Sequence, residues 1–462
     1  MRHKMQLSLT EGKISTLLIR FSMPFLLASL IQMAYSAVDI VILGWFASPG
    51  SLAGAGNGSN LSMSLMSVFY GFSTGGMILL GQHYGAKNND SAAKTVGNTI
   101  LLKTVFAILG MFLILSFGKL FINLINVPTE PDENGLNAAE EAWNYMRILS
   151  IGLIFQAGYN IISSILRALG NSKSPMVFIA ISCFINIVLD IVFVGALKLG
   201  AGGAALATIM AQAFSFAISL LYVIKKKLPF PFSIKNVRYD SETMKTIIRL
   251  GIPISLQTLL NMLSFIVIAA IINNMGLFAS SANGVVNNIV NLFMIIPFAF
   301  GSALSAISAQ NLGAGKPERA LKSAKLGMLF SLAIAVPATL AASFFPTAIV
   351  SLVSPNADVV RESAQFLIPF SWDFLFVSFV FCINGFFNGC GITTFVAIHE
   401  LVAAFLVRIP LSWALSLISG ATLFHVGIGT PAATLASLLM CLVYYKVKLA
   451  GDKLKILKIA GS

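Results

Sequence analysis

The chain has 462 residues, a formal net charge of +13 and four cysteines. Hydrophobic residues make up 57% of it and charged residues 10%, whereas a soluble globular domain carries roughly 25% charged residues. So few charges cannot keep a folded surface in water, and the composition therefore excludes a soluble globular protein.

Apolar runs of about 20 residues recur along the chain, and each is long enough to cross a hydrocarbon core of about 30 Å as a helix. Breaks at proline, glycine and charged clusters predict an all-α membrane protein with twelve transmembrane helices. The first six are predicted over 15–44, 56–80, 93–118, 141–168, 175–197 and 202–224. The other six are predicted over 246–274, 281–308, 320–345, 360–388, 395–418 and 424–446.

Basic residues crowd alternate loops, which is the pattern of cytoplasmic loops in membrane proteins. One side of the membrane receives Arg2, Lys4, Lys13, Lys87, Lys94, Arg167, Lys173, Lys235, Arg238 and the basic runs within 225–227, 316–325 and 446–458. The other side holds the acidic loop from 130 to 141. We therefore expect both termini in the cytoplasm and the chain in the plasma (inner) membrane. The net charge is then a topology signal and not a nucleic-acid interface.

An internal repeat relates the two halves of the chain at an offset of 228 or 229 residues. Segments 19–24, 81–86 and 204–208 match segments 248–253, 309–314 and 433–437. Each half has an even number of helices, so both halves enter from the same side and form parallel repeats. We expect a six-helix lobe over 1–224, a basic cytoplasmic linker over 225–245, and a second six-helix lobe with a basic tail over 246–462.

Acidic residues inside the predicted helices need a reason, because a charge at membrane depth costs about 2.5 to 3.5 kcal/mol on insertion scales. Asp39, Asp190 and Thr208 all fall roughly 8 to 11 Å below the outer boundary, and Asn186 lies one turn before Asp190. Two close acids in low dielectric do not both stay ionised without a cation, so this layer predicts a site for H⁺ or Na⁺. The alternative is two separate structural carboxylates.

The second half does not duplicate this acidic pair, since Ile268 and Ser437 stand at the positions offset from Asp39 and Thr208. Asp373 and Arg408 both fall near the midplane, where we favour a salt bridge over a second ion site. His399 and Glu400 are expected at the cytoplasmic interface.

Other polar or helix-bending residues within the helices have two interpretations each. Gln32, Tyr35, Gln156 and Asn160 either line a substrate cleft or bridge neighbouring helices. Pro24 and Pro253 occupy equivalent repeat positions and act either as paired hinges or as static kinks.

In order and spacing along nearly the full length, the motifs resemble those of the multidrug and toxic compound extrusion family of antiporters. The segments that carry the resemblance are Val38-Asp39 with Gly44, Gly81-Gln82 with Gly85-Ala86, 166–175, 186–190, 202–208 and 384–389. The resemblance implies two six-helix lobes in a V-shaped arrangement. It also implies a cation site at Asp39, Asn186, Asp190 and Thr208, with Gln32 and Tyr35 contacting substrate or the polar network.

One departure concerns the second lobe. Another branch of that family carries an acid on helix 7, where this chain has Gln257, whereas Asp373 resembles the acid of helix 10. A second-lobe ion site at Asp373, Arg408 and Gln257 is therefore weakened but stays open.

These features predict a transporter that exports organic, often cationic, small molecules by antiport with H⁺ or Na⁺ through alternating access. The alternative is a flippase for lipid-linked oligosaccharides. The short loops do not favour an enzyme, and the run from Gly313 to Pro317 lacks the residues of a phosphate-binding loop. We expect no cofactor, and we expect a functional monomer in the lipid bilayer.

Overall fold

A computed structural model describes residues 7–67 and 70–450, and the expected cytoplasmic residues Arg2 and Lys4 and the end of the basic tail lie outside these ranges. Helices make up nearly all of the described chain. In chain order they are α1 (Ile14–Phe46), α2 (Pro49–Ser67), α3 (Tyr70–Gly85), α4 (Asn89–Leu124), α5 (Ala138–Ala168), α6 (Lys173–Asp190), α7 (Gly200–Lys226), α8 (Ser241–Asn273), α9 (Leu277–Gly313), α10 (Pro317–Phe344), α11 (Pro346–Ser351), α12 (Ala357–Gly389), α13 (Thr393–Val402), α14 (Ile409–Ser416), α15 (Leu423–Gly427) and α16 (Gly429–Tyr444).

The prediction of an all-α membrane protein with twelve crossings is confirmed. Within the described residues, eleven helical stretches are long and apolar enough to span a bilayer. The remaining predicted helix, over 56–80, corresponds to α2 and α3 on either side of residues 68–69. We assign α1–α7 to the N-terminal lobe and α8–α16 to the C-terminal lobe.

Most helices extend beyond their predicted bounds, because hydropathy detects only the part of a helix that lies in hydrocarbon. The first residues of several helices are polar and are fixed by caps. Asn88 accepts a hydrogen bond from the Ser91 amide at 3.1 Å, and Asn137 accepts one from the Glu140 amide at 2.7 Å. The short helix α11 escaped prediction; it starts at Pro346, and proline suits the first helical position.

Two helices contain π-helical turns beside residues of interest. The turn Ile191–Ala196 directly follows Asp190, and the turn Ala403–Arg408 ends on Arg408. Together with α6 and with α13–α14, these turns complete the predicted helices over 175–197 and 395–418. Such turns often accompany functional sites, because the widened backbone redirects side chains.

The lobes meet along one half of the bundle only. Among the hydrophobic clusters of the described chain, just two contain residues of both lobes. One joins Phe21 and Phe25 of α1 to Phe300 of α9, and the other joins Phe72 of α3 to Ile247 of α8. Toward the end of α1 that carries Asp39, no hydrophobic cluster of the described residues joins the lobes, and Ile42 and Leu43 pack within the N-terminal lobe. The two lobes therefore diverge toward that end, as in the V-shaped arrangement implied by the resemblance.

The chain segment that precedes each lobe lies across the other lobe. Residues 7–12 lie against α9 and α10: Asn311 donates to the Leu9 carbonyl at 3.0 Å and Lys316 to the Thr10 carbonyl at 3.1 Å. The segment from 228 to 240 lies against α4, where Asn98 accepts from the Asp240 amide at 2.9 Å and Lys94 pairs with Asp240 at 3.6 Å.

Asp240 also caps α8 by accepting from the Thr243 amide at 3.0 Å. Hydrogen bonds from Thr243, with a smaller contribution from Lys94, hold the pKa of Asp240 below its ordinary value. At Asp240, the connection between the lobes is therefore fixed both to the first turns of α4 and to the start of α8.

Candidate cation site

Three helices of the N-terminal lobe bring two acids together around one amide. Asp39 comes from α1, and Asn186 and Asp190 come from the last two turns of α6. In the orientation of the Asn186 amide that its neighbours require, Nδ2 donates to Asp39 Oδ1 at 2.8 Å and to Asp190 Oδ2 at 2.9 Å. The one-turn spacing of Asn186 and Asp190 makes this possible, since residues four apart share a helix face.

The third helix, α7, completes the group. The Thr208 amide donates to Asn186 Oδ1 at 3.2 Å, and the Thr208 hydroxyl lies 3.2 Å from the hydroxyl of Tyr35. Tyr35 stands one turn before Asp39 on α1 and also contacts its carboxyl group. All four predicted cation-site residues therefore lie in one cluster, together with Tyr35.

The cluster is short of positive charge. Asp190 is 1% exposed, Asn186 is fully buried and Asp39 is half-buried. No Lys or Arg of the described chain forms an ion pair with either acid. Asp190 Oδ1 has no hydrogen-bond partner among the described residues. Because buried acids are costly unless paired, a proton or a hard monovalent cation suits this group of oxygens.

Sequence reasoning missed one member of this site. Tyr145 of α5 is 8% exposed, and its hydroxyl lies beside Thr208 and Ser59 and close to both acids. A usable signal was present, since Tyr145 lies seven residues into α5 and thus about 10 Å below the outer end, in the layer that held the other four residues.

Three other candidates stand apart from the cluster. Gln32 and Asn160 are exposed and Gln156 is half-buried, and none of their side chains makes a hydrogen bond within the described part of the chain. None of the three therefore bridges neighbouring helices through a side-chain hydrogen bond to the described residues. Their assignment to the substrate cleft stays a prediction.

The predicted hinge residues lie inside continuous helices. Pro24 is within α1 and Pro253 within α8, and both are half-buried. Pro253 lies two residues after Gly251, which packs against Gly71 and Phe72 of the other lobe. The equivalent prolines therefore occur in the half of the bundle where the lobes touch, and their role as hinges stays a prediction.

The C-terminal lobe has a polar network that differs from the prediction. Asp373 and Arg408 do not form the expected salt bridge. Arg408 instead donates to Asn261 Oδ1 at 3.3 Å and Ser264 Oγ at 3.1 Å, and its guanidinium lies 4.5 Å from the centre of the Phe265 ring. Asp373 Oδ1 and Arg408 Nε lack partners. Helix depth alone did not reveal that the two side chains reach different neighbours.

The expectation that His399 and Glu400 reach the interface is also wrong. His399 is fully buried, and its ring nitrogens lie 2.7 Å from Ser437 Oγ and 3.0 Å from Asn384 Oδ1. The Glu400 carboxylate accepts from Asn384 at 2.7 Å and from Asn261. One chain of hydrogen bonds thus connects His399, through Glu400, to Arg408. Gln257 makes no side-chain hydrogen bond within the described chain and stands outside this network.

A two-lobe helical bundle with paired acids inside its membrane-spanning helices is typical of polytopic membrane transporters. The model of the MatE family matches residues 24–192 and 253–414, one segment in each half. The chain therefore belongs to the MatE family, as its motifs predict.

Relatives and solved structures match this chain over most of its length. The chain is 29% identical over 443 residues to the probable multidrug resistance protein YpnP of Bacillus subtilis, covering 95% of this chain and 96% of that one. A MOP superfamily transporter from Pyrococcus furiosus superposes with a TM-score of 0.87 at 18% identity, over 94% of this chain and 96% of that one. An outward-facing multidrug resistance MATE transporter superposes with a TM-score of 0.86 at 17% identity, over 97% and 98% of the two chains.

Proposed function

We propose that this protein exports organic small molecules by antiport with H⁺ or Na⁺, and that the coupling cation binds between Asp39 and Asp190. The observation that carries the proposal is the sharing of one amide, that of Asn186, by two acids that have no basic partner. The B. subtilis relative is named a probable multidrug resistance protein, which supports organic compounds as cargo.

The cation and the cargo compete through conformation. Without a cation, two ionised carboxyl groups repel each other across the Asn186 amide, which disfavours closer packing of α1 on α6. A bound cation draws Asp39 toward Asp190 and changes the position of α1, which carries Gln32 and the exposed face toward the cleft. The driving force is sufficient, since one charge crossing 100 mV is worth about 2.3 kcal/mol, which changes a two-state ratio more than tenfold.

The same proposal includes the topology, the location and the working state of the protein. Both termini lie in the cytoplasm, the protein resides in the plasma membrane, and it works as a monomer with no cofactor and without catalysing a chemical reaction. The cleft between the diverging lobes, open at the end that carries Asp39, then faces outward.

The test is dye efflux from proteoliposomes with imposed pH and Na⁺ gradients varied separately. We expect Asp39→Asn and Asp190→Asn each to lower gradient-driven efflux at least about tenfold, because a neutral amide cannot bind the cation. The matched control is Glu130→Gln, which removes an exposed carboxylate and should transport normally. Efflux by Asp39→Asn at the rate of that control would refute the proposal. The gradient that drives wild-type efflux identifies the coupling ion.

A further inference from the structure

Two glutamines cross between the lobes at the end of the bundle where the lobes touch. Gln82 of α3 donates to the carbonyl of Gly389, the last residue of α12, at 3.0 Å. Gln310 of α9 donates to the carbonyl of Ala168, the last residue of α5. Each bond therefore joins one lobe to the other, in opposite directions. Both glutamines are at most 2% exposed.

Both acceptors are carbonyls that their own helices leave free. A helix ends with carbonyl groups that have no intrahelical donor. The two helix ends are built alike, because Gly170 and Gly391 follow in the left-handed region with φ of 87° and 82°. In each, the Asn171 or Ile392 amide turns back to the preceding helical turn and leaves the carbonyl of Ala168 or Gly389 for the glutamine of the other lobe.

Two glycines allow the backbones to come this close. A Cβ at Gly85 would collide with the Gln310 carbonyl oxygen, and a Cβ at Gly313 would collide with the Gln82 carbonyl oxygen. These obstacles are backbone atoms, which no change of side-chain rotamer removes. We call the four residues Gln82, Gly85, Gln310 and Gly313 the reciprocal lock.

The residues of the reciprocal lock occupy equivalent positions in the internal repeat. Gln82 and Gln310 are 228 residues apart, as are Gly85 and Gly313. The acceptor of each crossed bond and the backbone facing each glycine belong to the other lobe. Contact between the lobes therefore accounts for glutamine and glycine at equivalent positions of both halves.

We propose that Gln82 and Gln310 are positioning residues that hold this end of the cleft closed and so set the balance between the two access states. The proposal rests on the alternating access of the proposed function. Opening the cleft at this end must break both crossed bonds and exchange them for hydrogen bonds to water, which costs the net free energy of two hydrogen bonds and so disfavours that state. Neither glutamine contacts the cation cluster, so the lock acts on the balance of states and leaves the intrinsic affinity of the cation site unchanged.

The test measures the distance between the lobes by double electron–electron resonance. Cys183, Cys382, Cys390 and Cys441 are first replaced, and spin labels are placed on exposed positions at the closed end through Asn89→Cys in one lobe and Lys322→Cys in the other. Gln82→Met and Gln310→Met keep the side-chain length and remove the donor. We expect each to raise the ratio of long to short distances roughly two- to tenfold, and the double variant to multiply the two effects. Gly85→Ala should raise it further.

Two controls match these changes. Gln212→Met replaces a half-buried glutamine of α7, and Gly284→Ala adds a methyl group into open space on α9, the helix that carries Gly313. Both should leave the distances as in the parent. If the double Met variant and Gly85→Ala also leave them unchanged, the lock has no such role. The distances need no cargo or gradient, so this result is independent of efflux by Asp39→Asn, which tests the proposed function.

Discussion

The two lobes share a fold and a repeat, yet they treat buried acids in opposite ways. In the N-terminal lobe, Asp39 and Asp190 share Asn186 and have no basic partner. In the C-terminal lobe, Asp373 and Glu400 are accompanied by Arg408, whose charge reaches Glu400 through the Asn261 amide. Within the described chain, the acids of the N-terminal lobe therefore lack a basic side chain, whereas the C-terminal lobe provides Arg408 for its own acids.

Under the proposed function, this difference separates a pair of acids that exchanges ions from a network that holds helices together. A buried charge persists when its neighbours compensate it, and removal of the compensating partner is then costly. An uncompensated pair of close acids instead favours uptake of a proton or cation, because desolvation and mutual repulsion disfavour two bare carboxylates. The Glu400 network connects α8, α12, α13 and α16, so its bonds cross most of the C-terminal lobe.

The largest expected effect tests whether the C-terminal lobe compensates its own charge. Arg408→Met leaves Asp373 and Glu400 without a cation, and we expect the free energy of unfolding in detergent to fall by on the order of 3 kcal/mol. The control is Arg361→Met, because Arg361 is an exposed partner of Asp358 and Glu362 and should contribute less than about 1 kcal/mol. Equal losses in the two variants would contradict self-compensation. Adding Asp373→Asn to Arg408→Met should restore part of the stability.

An intermediate effect tests where the external cation binds. A ligand at ten times its dissociation constant stabilises the folded state by about 1.4 kcal/mol, so the melting temperature of the wild type should rise with the coupling ion. We expect this increase to vanish in Asp39→Asn and to persist in Asp373→Asn. The measurement is thermal unfolding across a series of Na⁺ concentrations and, separately, of pH. If the increase in melting temperature is lost in Asp373→Asn instead, the cation binds in the C-terminal lobe.

The smallest effect concerns the outer loops. In the N-terminal lobe, Asp132 accepts from the Asn134, Leu136 and Gly50 amides, and hydrogen bonds from Ser48 and the Leu136 amide lower its pKa to about 2. In the C-terminal lobe the corresponding loop uses Asn356, which does not titrate, to cap α12.

Because the pKa of Asp132 is lower in the folded state than its ordinary value of 3.8, its contribution is present above about pH 4. It is lost as the pH falls toward 2. We expect faster amide exchange at Gly50 and Leu136 over this range, with no matching change at Asp358 and Val359. Asp132→Asn should make exchange at Gly50 insensitive to pH, and a parallel acid response in both loops would exclude Asp132 as its cause.

Much of the fold could be predicted because a bilayer imposes simple rules. A hydrocarbon core fixes the length of each apolar run, and the charge bias fixes the threading, so twelve helices and two repeats followed from pattern alone. The depth of Asp39, Asp190 and Thr208 along their helices, together with the one-turn spacing of Asn186, placed four residues in one layer. The structure brings those four residues into one cluster, which Thr208 joins through its backbone amide.

The depth of a residue in the membrane does not tell in which direction its side chain points around the helix axis. The wrong predictions for the C-terminal lobe have this cause. Asp373 and Arg408 share a depth, but Arg408 contacts Asn261 and Ser264. His399 lies near a predicted helix start, which suggested the interface, yet its face of α13 is turned toward Asn384 and Ser437. Side-chain direction depends on packing between helices, and a single sequence does not specify that packing.

The segments that precede the two lobes have a consequence for movement of the lobes. Residues 7–12 lie on α9 and α10, and residues 228–240 lie on α4, so the segment leading into each half is hydrogen-bonded to the other half. A rotation of one lobe against the other must either carry these segments along or break their hydrogen bonds. The two segments therefore limit how far the lobes can separate at this end.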